Sequence, residues 1–173
     1  IVVADADQAG TVTLPNGTTS SFVYDPNWIG QVTLGVQYGV LTLATTAGLT
    51  FPADINDDGA PDDVNGDGAV NAADVSDGVS DSIIVFRGSM AALNAALNGV
   101  RYRGKPNYNS GDATSSPADA VPPDVLQIKI EDLKNTDILQ QSNPSDPAWQ
   151  NLSATGSVTV TVNPKQDRPA IPT

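Results

Sequence analysis

The sequence contains no cysteine and no histidine. This absence excludes disulfides, thiolate nucleophiles, zinc sites built on cysteine and histidine, and any catalytic triad that uses imidazole. Glutamate is nearly missing as well, because Glu131 is the single glutamate among 20 acidic residues. Aspartate is a turn former, so this bias predicts carboxylates placed in loops.

Positive charge is also scarce. The chain has 8 lysines and arginines, and its formal net charge is −12. Nucleic acids and anionic membrane surfaces would repel such a chain. No apolar run approaches the roughly 20 residues that a membrane-spanning helix needs. We therefore expect no nucleic-acid partner and no membrane insertion and, since no signal peptide is present, a mature protein or an excised segment.

Aromatic residues make up 5% of the chain, and the apolar residues come in short runs separated by Gly, Pro, Thr, Asn and Asp. This composition favours an all-β domain with long loops. A chain of 173 residues is long enough for one such domain. We expect about seven to nine short strands, which at this spacing are typical of a Greek-key immunoglobulin-like sandwich.

The predicted elements follow from apolar alternation and turn residues. Ser89 can cap one short helix, and Gly99 stops it. The strands are predicted at 1–4, in a hairpin at 11–24 with its turn at 15–17, and at 31–37, 39–44, 82–88, 100–103, 124–132 and 156–163.

The predicted sandwich covers residues 1–163, and an acidic insertion at 52–81 interrupts its strands. Loose connections rich in Gly, Asn, Ser and Pro are expected at 104–123 and 133–155. The tail at 164–173 is punctuated by proline, so we expect a linker or a strand-donating segment there.

The stretch DINDDGAPDDVNGDGAVNAAD, residues 54–74, contains seven aspartates and no lysine or arginine. Like charges at this density repel, so the stretch should stay disordered unless a cation binds it. Its second part, DVNGDGAVNAAD, has the ligand order of an EF-hand loop, with Gly68 at the sharp bend. The predicted calcium ligands are Asp63, Asn65, Asp67, the carbonyl of Ala69, Asn71 and Asp74.

The preceding part, DINDDGAPDDVN, repeats this pattern with Gly59 at the bend. Its predicted ligands are Asp54, Asn56, Asp58, the carbonyl of Ala60 and Asp62. The two frames overlap at 63–65, so two Ca²⁺ ions could share ligands and fold the whole insertion together. Asp74 stands where an EF-hand normally has glutamate, which weakens selectivity for calcium over magnesium. The alternative is a solvated acidic loop with Asp-Gly turns.

The stretch DVNGDGAVNAAD also resembles the calcium loop of dockerin modules, which dock cellulosomal enzymes on cohesins. Dockerins carry two such loops, each running into a full helix, whereas here the first loop runs straight into the second. We therefore interpret 54–74 as a stabilising insertion, and a dockerin-like docking module stays an alternative.

Outside the insertion, five segments resemble the cadherin-like repeats of giant bacterial surface proteins and adhesins. They are IVVADADQAG, YGVLTLATTAGLTF, GSMAALNAALNGVRYRGKPNYNSGD, DVLQIKIED and GSVTVTVNPKQDRPAIP. The resemblance implies tandem sandwiches, an extracellular or cell-surface location, and a role in adhesion or surface structure. It also implies a further calcium ion at a junction between repeats, where Asp5 and Asp7 match an Asp-x-Asp motif and Asn163 and Asp167 partly match the linker motif. Turn aspartates are the alternative at these positions.

The resemblance also suggests how subunits meet. The chain begins on a segment that other repeats carry after their first strands, and the tail at 164–173 resembles the opening of a next repeat. The hypothesis is a filament in which each tail adds a strand to its neighbour; the alternative is an arbitrary boundary. The expected partners are neighbouring repeats or identical subunits, together with a host or matrix surface ligand.

Three further features bear on function. Trp28 and Trp149 lie in loops, where they either plug the end of the sandwich or, in a carbohydrate-binding alternative, stack on sugars. Arg101, Arg103 and Lys105 form a basic cluster, which we interpret as a solvated strand face, with pairing to an acidic loop as the alternative. The carboxylates cluster in a loop with metal-ligand spacing and do not flank a cleft, so no enzymatic activity is expected.

Overall fold

The computed structural model describes residues 1–3, 11–13, 19–21, 28–55, 58–106, 108–110, 121–133 and 153–163. Ten strands and one α-helix lie in these ranges. In chain order they are β1 (Thr11–Thr13), β2 (Thr19–Ser21), β3 (Gly30–Gly35), β4 (Gly39–Thr42), β5 (Leu49–Thr50), β6 (Val79–Asp81), β7 (Ile83–Gly88), α1 (Met90–Leu97), β8 (Arg101–Gly104), β9 (Asp124–Glu131) and β10 (Ser153–Val160). None of the described helices is long and apolar enough to cross a bilayer.

The strands form two antiparallel sheets and a separate hairpin. One sheet has five strands in the order β10-β9-β3-β7-β5, the other has three in the order β6-β4-β8, and β1 pairs with β2. β3 and β4 follow each other closely in the chain yet lie in different sheets, so the chain crosses between the sheets there. The expected all-β fold with one short helix is therefore confirmed at this level.

The hydrophobic core joins both sheets and the helix. Alternation along β3, β7 and β9 puts every second side chain on the core side. The fully buried members include Val32, Leu34, Leu41, Ile84, Phe86 and Leu93. Burial of one such large side chain stabilises the fold by about 1.5–3 kcal/mol.

The helix α1 begins and ends as the sequence predicts. Ser89 Oγ accepts a hydrogen bond from the amide of Ala92 at 3.3 Å, and this satisfies one of the free amides of the first turn. Leu93 and Leu97 are buried in the core. Gly99 has a φ of 108°, which glycine adopts without strain, so the chain can leave the helix towards β8.

Replacing Ser89 by alanine should lower the free energy of unfolding by about 1 kcal/mol, because the helix loses its capping acceptor. In a domain of this size that corresponds to a fall in melting temperature of about 2–4 °C. Thermal denaturation followed by circular dichroism measures it, with Ser82→Ala at an exposed loop position as the matched control. An equal fall in the control would contradict the capping role.

A buried carboxylate, Asp124, holds the turn between β3 and β4. Its Oδ1 accepts from the amides of Gln37 at 3.0 Å and Val125 at 2.9 Å. Its Oδ2 accepts from the amide of Tyr38 at 2.8 Å and from the hydroxyl of Tyr102 at 2.9 Å. Burial acts to raise the pKa of Asp124, but these hydrogen bonds outweigh it, so the pKa lies below its ordinary value. The carboxylate thus ties the start of β9 to the crossing between the sheets.

The strand predicted at 1–4 is wrong for residues 1–3, which form no strand. Val3 instead pairs its backbone with the side chain of Asn94 in α1. The amide of Val3 donates to Asn94 Oδ1 at 2.7 Å, and the carbonyl accepts from Asn94 Nδ2 at 2.9 Å. A helix side chain thus satisfies the backbone groups that a neighbouring strand would otherwise satisfy.

The insertion predicted at 52–81 ends too late. β6 lies inside that range and pairs with β4 in the three-stranded sheet. Ser80 has a φ of 63° and the register shifts between Leu41 and Thr42, so apolar alternation does not reveal the strand. The insertion therefore covers residues 52–78.

The other predicted strands are present in the described ranges. β1 and β2 confirm the hairpin, and its turn at 15–17 lies outside the described residues. β10 starts at Ser153, which lies in the predicted loop at 133–155. The two-residue strand β5 was not predicted. Asp5, Asp7, Trp149 and the tail at 164–173 lie outside the described residues.

Candidate metal centre

The acidic insertion begins against the outer face of the five-stranded sheet. Val32 points to the core, so its neighbour Gln31 lies on the opposite face. Gln31 Nε2 donates to the carbonyl of Ile55 at 3.4 Å. Arg87 Nη2 donates to the carbonyls of Asp54 and Ile55, both at 3.3 Å. Gln31 is only 2% exposed, so the start of the insertion lies on the sheet.

Gln31 also joins three strands on that face. It is the direct cross-strand partner of Arg87 in β7 and of Glu131 in β9. Its Nε2 donates to Glu131 Oε2 at 3.0 Å, and its Oε1 accepts from Arg87 Nε at 2.8 Å. Glu131, Gln31 and Arg87, called the Gln31 row below, are thus linked by charge-assisted hydrogen bonds that end on the insertion backbone.

Ser76 fastens the other end of the insertion. Its Oγ donates to the carbonyl of Ile83 at 3.1 Å and accepts from the amide of Val85 at 3.2 Å. β5 pairs only with Arg87 and Gly88 of β7, so the Ser76 hydroxyl satisfies the edge of β7 beyond β5. Both ends of the insertion are therefore fixed to β7.

Between these ends the insertion consists of two similar halves, residues 54–62 and 63–71. The first aspartate of each half, Asp54 or Asp63, accepts the amide five residues later on Oδ2 at 2.8 Å. Each also accepts the amide four residues later on Oδ1, at 3.3 Å in the first half and 3.2 Å in the second. The sequence repeat is therefore also a repeat of local structure.

The middle of each half matches as well. Asp58 Oδ1 accepts from the amide of Ala60 at 2.9 Å, and Asp67 Oδ1 accepts from the amide of Ala69 at 2.8 Å. The glycine between them has a φ of 93° in the first half and 86° in the second. The predicted bends at Gly59 and Gly68 are confirmed, and only glycine adopts such a φ readily.

Asp74, which follows the second half in the chain, binds backbone amides of that half. Its Oδ1 accepts from the amides of Val64 at 3.1 Å and Asn65 at 3.2 Å. Its Oδ2 accepts from the amide of Asn71 at 2.7 Å, and Asn71 in turn caps a 3₁₀ turn at Ala72–Asp74. The hydrogen bond from Asn71, with those from Asn65 and Val64, lowers the pKa of Asp74 against the opposing effect of burial. Asp74 is 3% exposed and stays charged at neutral pH.

The first half closes on Asp62. Its Oδ2 accepts from the amide of Ile55 at 2.8 Å, and its own amide donates to the carbonyl of Ala53 at 2.8 Å. Ile55 corresponds to Val64, whose amide donates to Asp74. In each half, therefore, the amide of the second residue donates to the closing carboxylate. Asn56 lies outside the described residues.

The geometry brings the predicted ligands into one folded insertion but does not gather their carboxylates. In the described ranges no group of three or more His, Cys, Asp or Glu side chains is arranged to hold a metal ion. The carboxylates instead accept backbone amides of their own loop. The donor set fits a hard cation, because carboxylate, side-chain amide and backbone carbonyl oxygens are the ligands that Ca²⁺ takes. The described ligands are Asp54, Asp58, Ala60, Asp62, Asp63, Asn65, Asp67, Ala69, Asn71 and Asp74.

The Gln31 row and Ser76 are the site residues that sequence reasoning missed. Arg87 gave one usable signal, since it is a lone charge in the apolar strand that follows the insertion. Gln31 gave none, because its contact with Arg87 spans 56 positions of the chain.

The other candidate residues lie away from the insertion. Trp28 is 5% exposed and belongs to the core cluster, so its ring is not an exposed platform for a sugar. A Cβ at Gly30 would lie 2.4 Å from that ring, which explains the glycine at the start of β3. Arg101 and Arg103 are exposed on β8. An ion pair seen in the described part of the chain joins Lys129 to Glu131 and involves neither arginine.

Comparisons with known proteins give no family. No family model, curated protein or solved structure matches the chain.

Proposed function

We propose that the chain is a non-enzymatic, calcium-binding structural or adhesion module of an extracellular or cell-surface protein. One observation carries the proposal: the two halves, 54–62 and 63–71, share both a ligand pattern and a set of carboxylate-to-amide hydrogen bonds. A solvated acidic loop is not expected to repeat the same hydrogen bonds. Two successive cation-binding loops are expected to repeat them, because both loops need the same backbone geometry.

The chain's own residues prepare the loop for the ion. The amide bonds to Asp54 and Asp63 fix the first carboxylate of each half against its glycine bend. A carboxylate has about four lone-pair sites, so it can accept amides and still bind a cation. The first half would hold one ion and the second half another, through the oxygens of the predicted ligands. Bound Ca²⁺ would supply the positive charge that the sequence of the insertion lacks.

The anchors explain why such binding would matter for the whole domain. The Gln31 row holds the backbone of Asp54, the first ligand, and Ser76 holds the end that follows Asp74. Ordering the loop therefore also fixes the outer face of the five-stranded sheet. This supports a Greek-key, cadherin-like module that is stiffened by calcium and that joins neighbouring repeats or identical subunits.

Calorimetric titration of chelator-treated protein with CaCl₂ tests the proposal directly. The expected result is binding of two ions per chain, with dissociation constants of about 10⁻⁴–10⁻³ M as in extracellular calcium modules. Asp67→Ala should remove the ion of the second half. Asp77→Ala, which removes one negative charge just outside the two halves, is the matched control and should bind as the unchanged protein does. Absence of binding heat, or equal weakening in both variants, would contradict specific ligation.

A further inference from the structure

A sheet edge exposes unpaired backbone N–H and C=O groups, and natural β proteins blunt such edges with short strands, charges or irregular backbone. In the described ranges, three of the four edges of the five-stranded and three-stranded sheets are blunted. β5 has two residues, β8 carries the exposed Arg101 and Arg103, and β6 has three residues with a positive φ at Ser80. These edges resist pairing with another chain.

The remaining edge of the five-stranded sheet, β10, has none of these protections. It has eight residues, no charge and no proline, and it pairs with β9 without a register shift from Ser153 to Val160. In the described part of the chain no strand pairs with its other side. Seven of its eight residues are exposed. Among the described residues the strand is thus long, regular and open along one edge.

The core side of β10 is also uncovered from Ala154 to Val158, whereas Val160 packs against the core. Ala154, Gly156 and Val158 lie opposite Ile130, Ile128 and Leu126 of β9 and share their face of the sheet. Val158 is nevertheless 47% exposed, so the three-stranded sheet does not cover this part of the strand. A second strand beside β10 would remove apolar surface from water in addition to pairing the backbone.

Charge allows the second strand to come from an identical chain despite the net charge of −12. The acidic insertion is anchored on β7 and β3, and β9 separates these strands from β10. If two β10 strands pair, the β7 anchors of the two copies are seven strand spacings apart, or roughly 34 Å. Repulsion between the insertions is largely screened at that distance, because the Debye length is about 8–10 Å.

We propose that β10 pairs antiparallel with β10 of a second copy of this chain, so that two five-stranded sheets become one continuous sheet. This inference rests on the proposed structural role, since it names the contact through which identical subunits meet. A two-fold axis through Gly156 places Val158 beside Ala154 of the partner subunit, on the uncovered core side. On the outer face Thr155 lies beside Ser157 of the partner subunit, a pair whose hydroxyls can bond across the strands. The tail at 164–173 fits the edge less well, because Pro164, Pro169 and Pro172 cannot donate backbone hydrogen bonds.

Sedimentation velocity of charge-paired variants tests this contact. The unchanged protein should show twice the mass of the 17.8 kDa chain. Thr155→Lys with Ser157→Lys should give monomers, because like charges then face each other across the axis. Thr155→Glu with Ser157→Glu should do the same, and an equimolar mixture of the two variants should restore the double mass. Gln127→Lys, exposed on the neighbouring strand β9, is the control and should keep it.

The remaining outcomes separate this contact from the alternatives. Deletion of 164–173 and addition of a chelator should both leave the double mass, because neither the tail nor the insertion lies in the contact. A monomeric unchanged protein, or lysine variants that still dimerise with unchanged circular dichroism, overturns the inference. Loss of the double mass on deletion of the tail assigns the edge to tail addition and also overturns it. Calcium titration of the same samples is independent, so failed calcium binding with an intact dimer counts against the proposed function alone.

Discussion

Saturating calcium should raise the melting temperature of the protein, and the double substitution of Asp58→Ala with Asp67→Ala should remove most of that increase. A ligand present at 100 times its dissociation constant adds about 2.7 kcal/mol per site to the free energy of unfolding. In a domain of this size each such site raises the melting temperature by about 5–10 °C. The two aspartates stand at the same position of the two halves, so the double variant leaves both loops short of one oxygen.

The unchanged protein and the double variant must be compared by the increase in melting temperature that calcium causes in each. Asp58 and Asp67 each accept one amide of their own half, so the variants are also expected to lose a little stability without calcium. Scanning calorimetry with calcium, with magnesium and with chelator separates the two effects, and magnesium should stabilise less because it demands a stricter octahedral geometry. Equal increases in the double variant and the unchanged protein would rule out these loops as the binding site.

Asp124→Ala should lower the free energy of unfolding by roughly 3–4 kcal/mol. Hydrogen bonds to a charged acceptor contribute strongly, and this substitution removes the acceptor from all of its donors at once. Asp124 is 1% exposed, so solvent does not replace the lost acceptor. Tyr102→Phe removes only the hydroxyl donor and should cost about 1 kcal/mol. Urea denaturation measures both, and a loss for Asp124→Ala no larger than for Tyr102→Phe would contradict the central role of the carboxylate.

The same residue predicts a dependence on pH. The pKa of Asp124 is lower in the folded chain than its ordinary value of 3.8. A lowered carboxyl pKa adds stability that is present above pH 3.8 and is lost as the pH falls through the folded pKa. The difference in free energy of unfolding between the unchanged protein and Asp124→Asn should therefore shrink on acidification. A difference that stays constant from neutral to strongly acidic pH would contradict the shift.

The sequence was sufficient to predict those elements whose structure depends on contacts between neighbouring residues. Ser89 and Gly99 predict both ends of the helix, because a cap and a left-handed glycine act within one turn. The spacing of Asp63 and Gly68 likewise predicts the bend of the second loop, which needs no contact from elsewhere. The alternation of β9 is visible because one of its faces is buried.

Contacts between distant parts of the chain could not be predicted in this way. The side-chain amide of Asn94 pairs with the backbone of Val3 where a neighbouring strand would otherwise pair with it. No pattern in residues 1–3 shows that a helix side chain will do so. The Gln31 row depends on the strand order β9-β3-β7, which a single sequence does not reveal. For the same reason the sequence marks an acidic loop but not the sheet face on which it lies.

Fixing both ends of the insertion to β7 has an evolutionary consequence. Arg87 holds the start of the loop at the carbonyl of Asp54, and Ser76 holds its end. These contacts do not depend on how many nine-residue units lie between them. Doubling the length of a loop costs only about 0.6 kcal/mol in closure entropy, so units can be gained or lost here without altering the core. The position therefore allows the number of nine-residue units to vary while the rest of the fold is inherited unchanged.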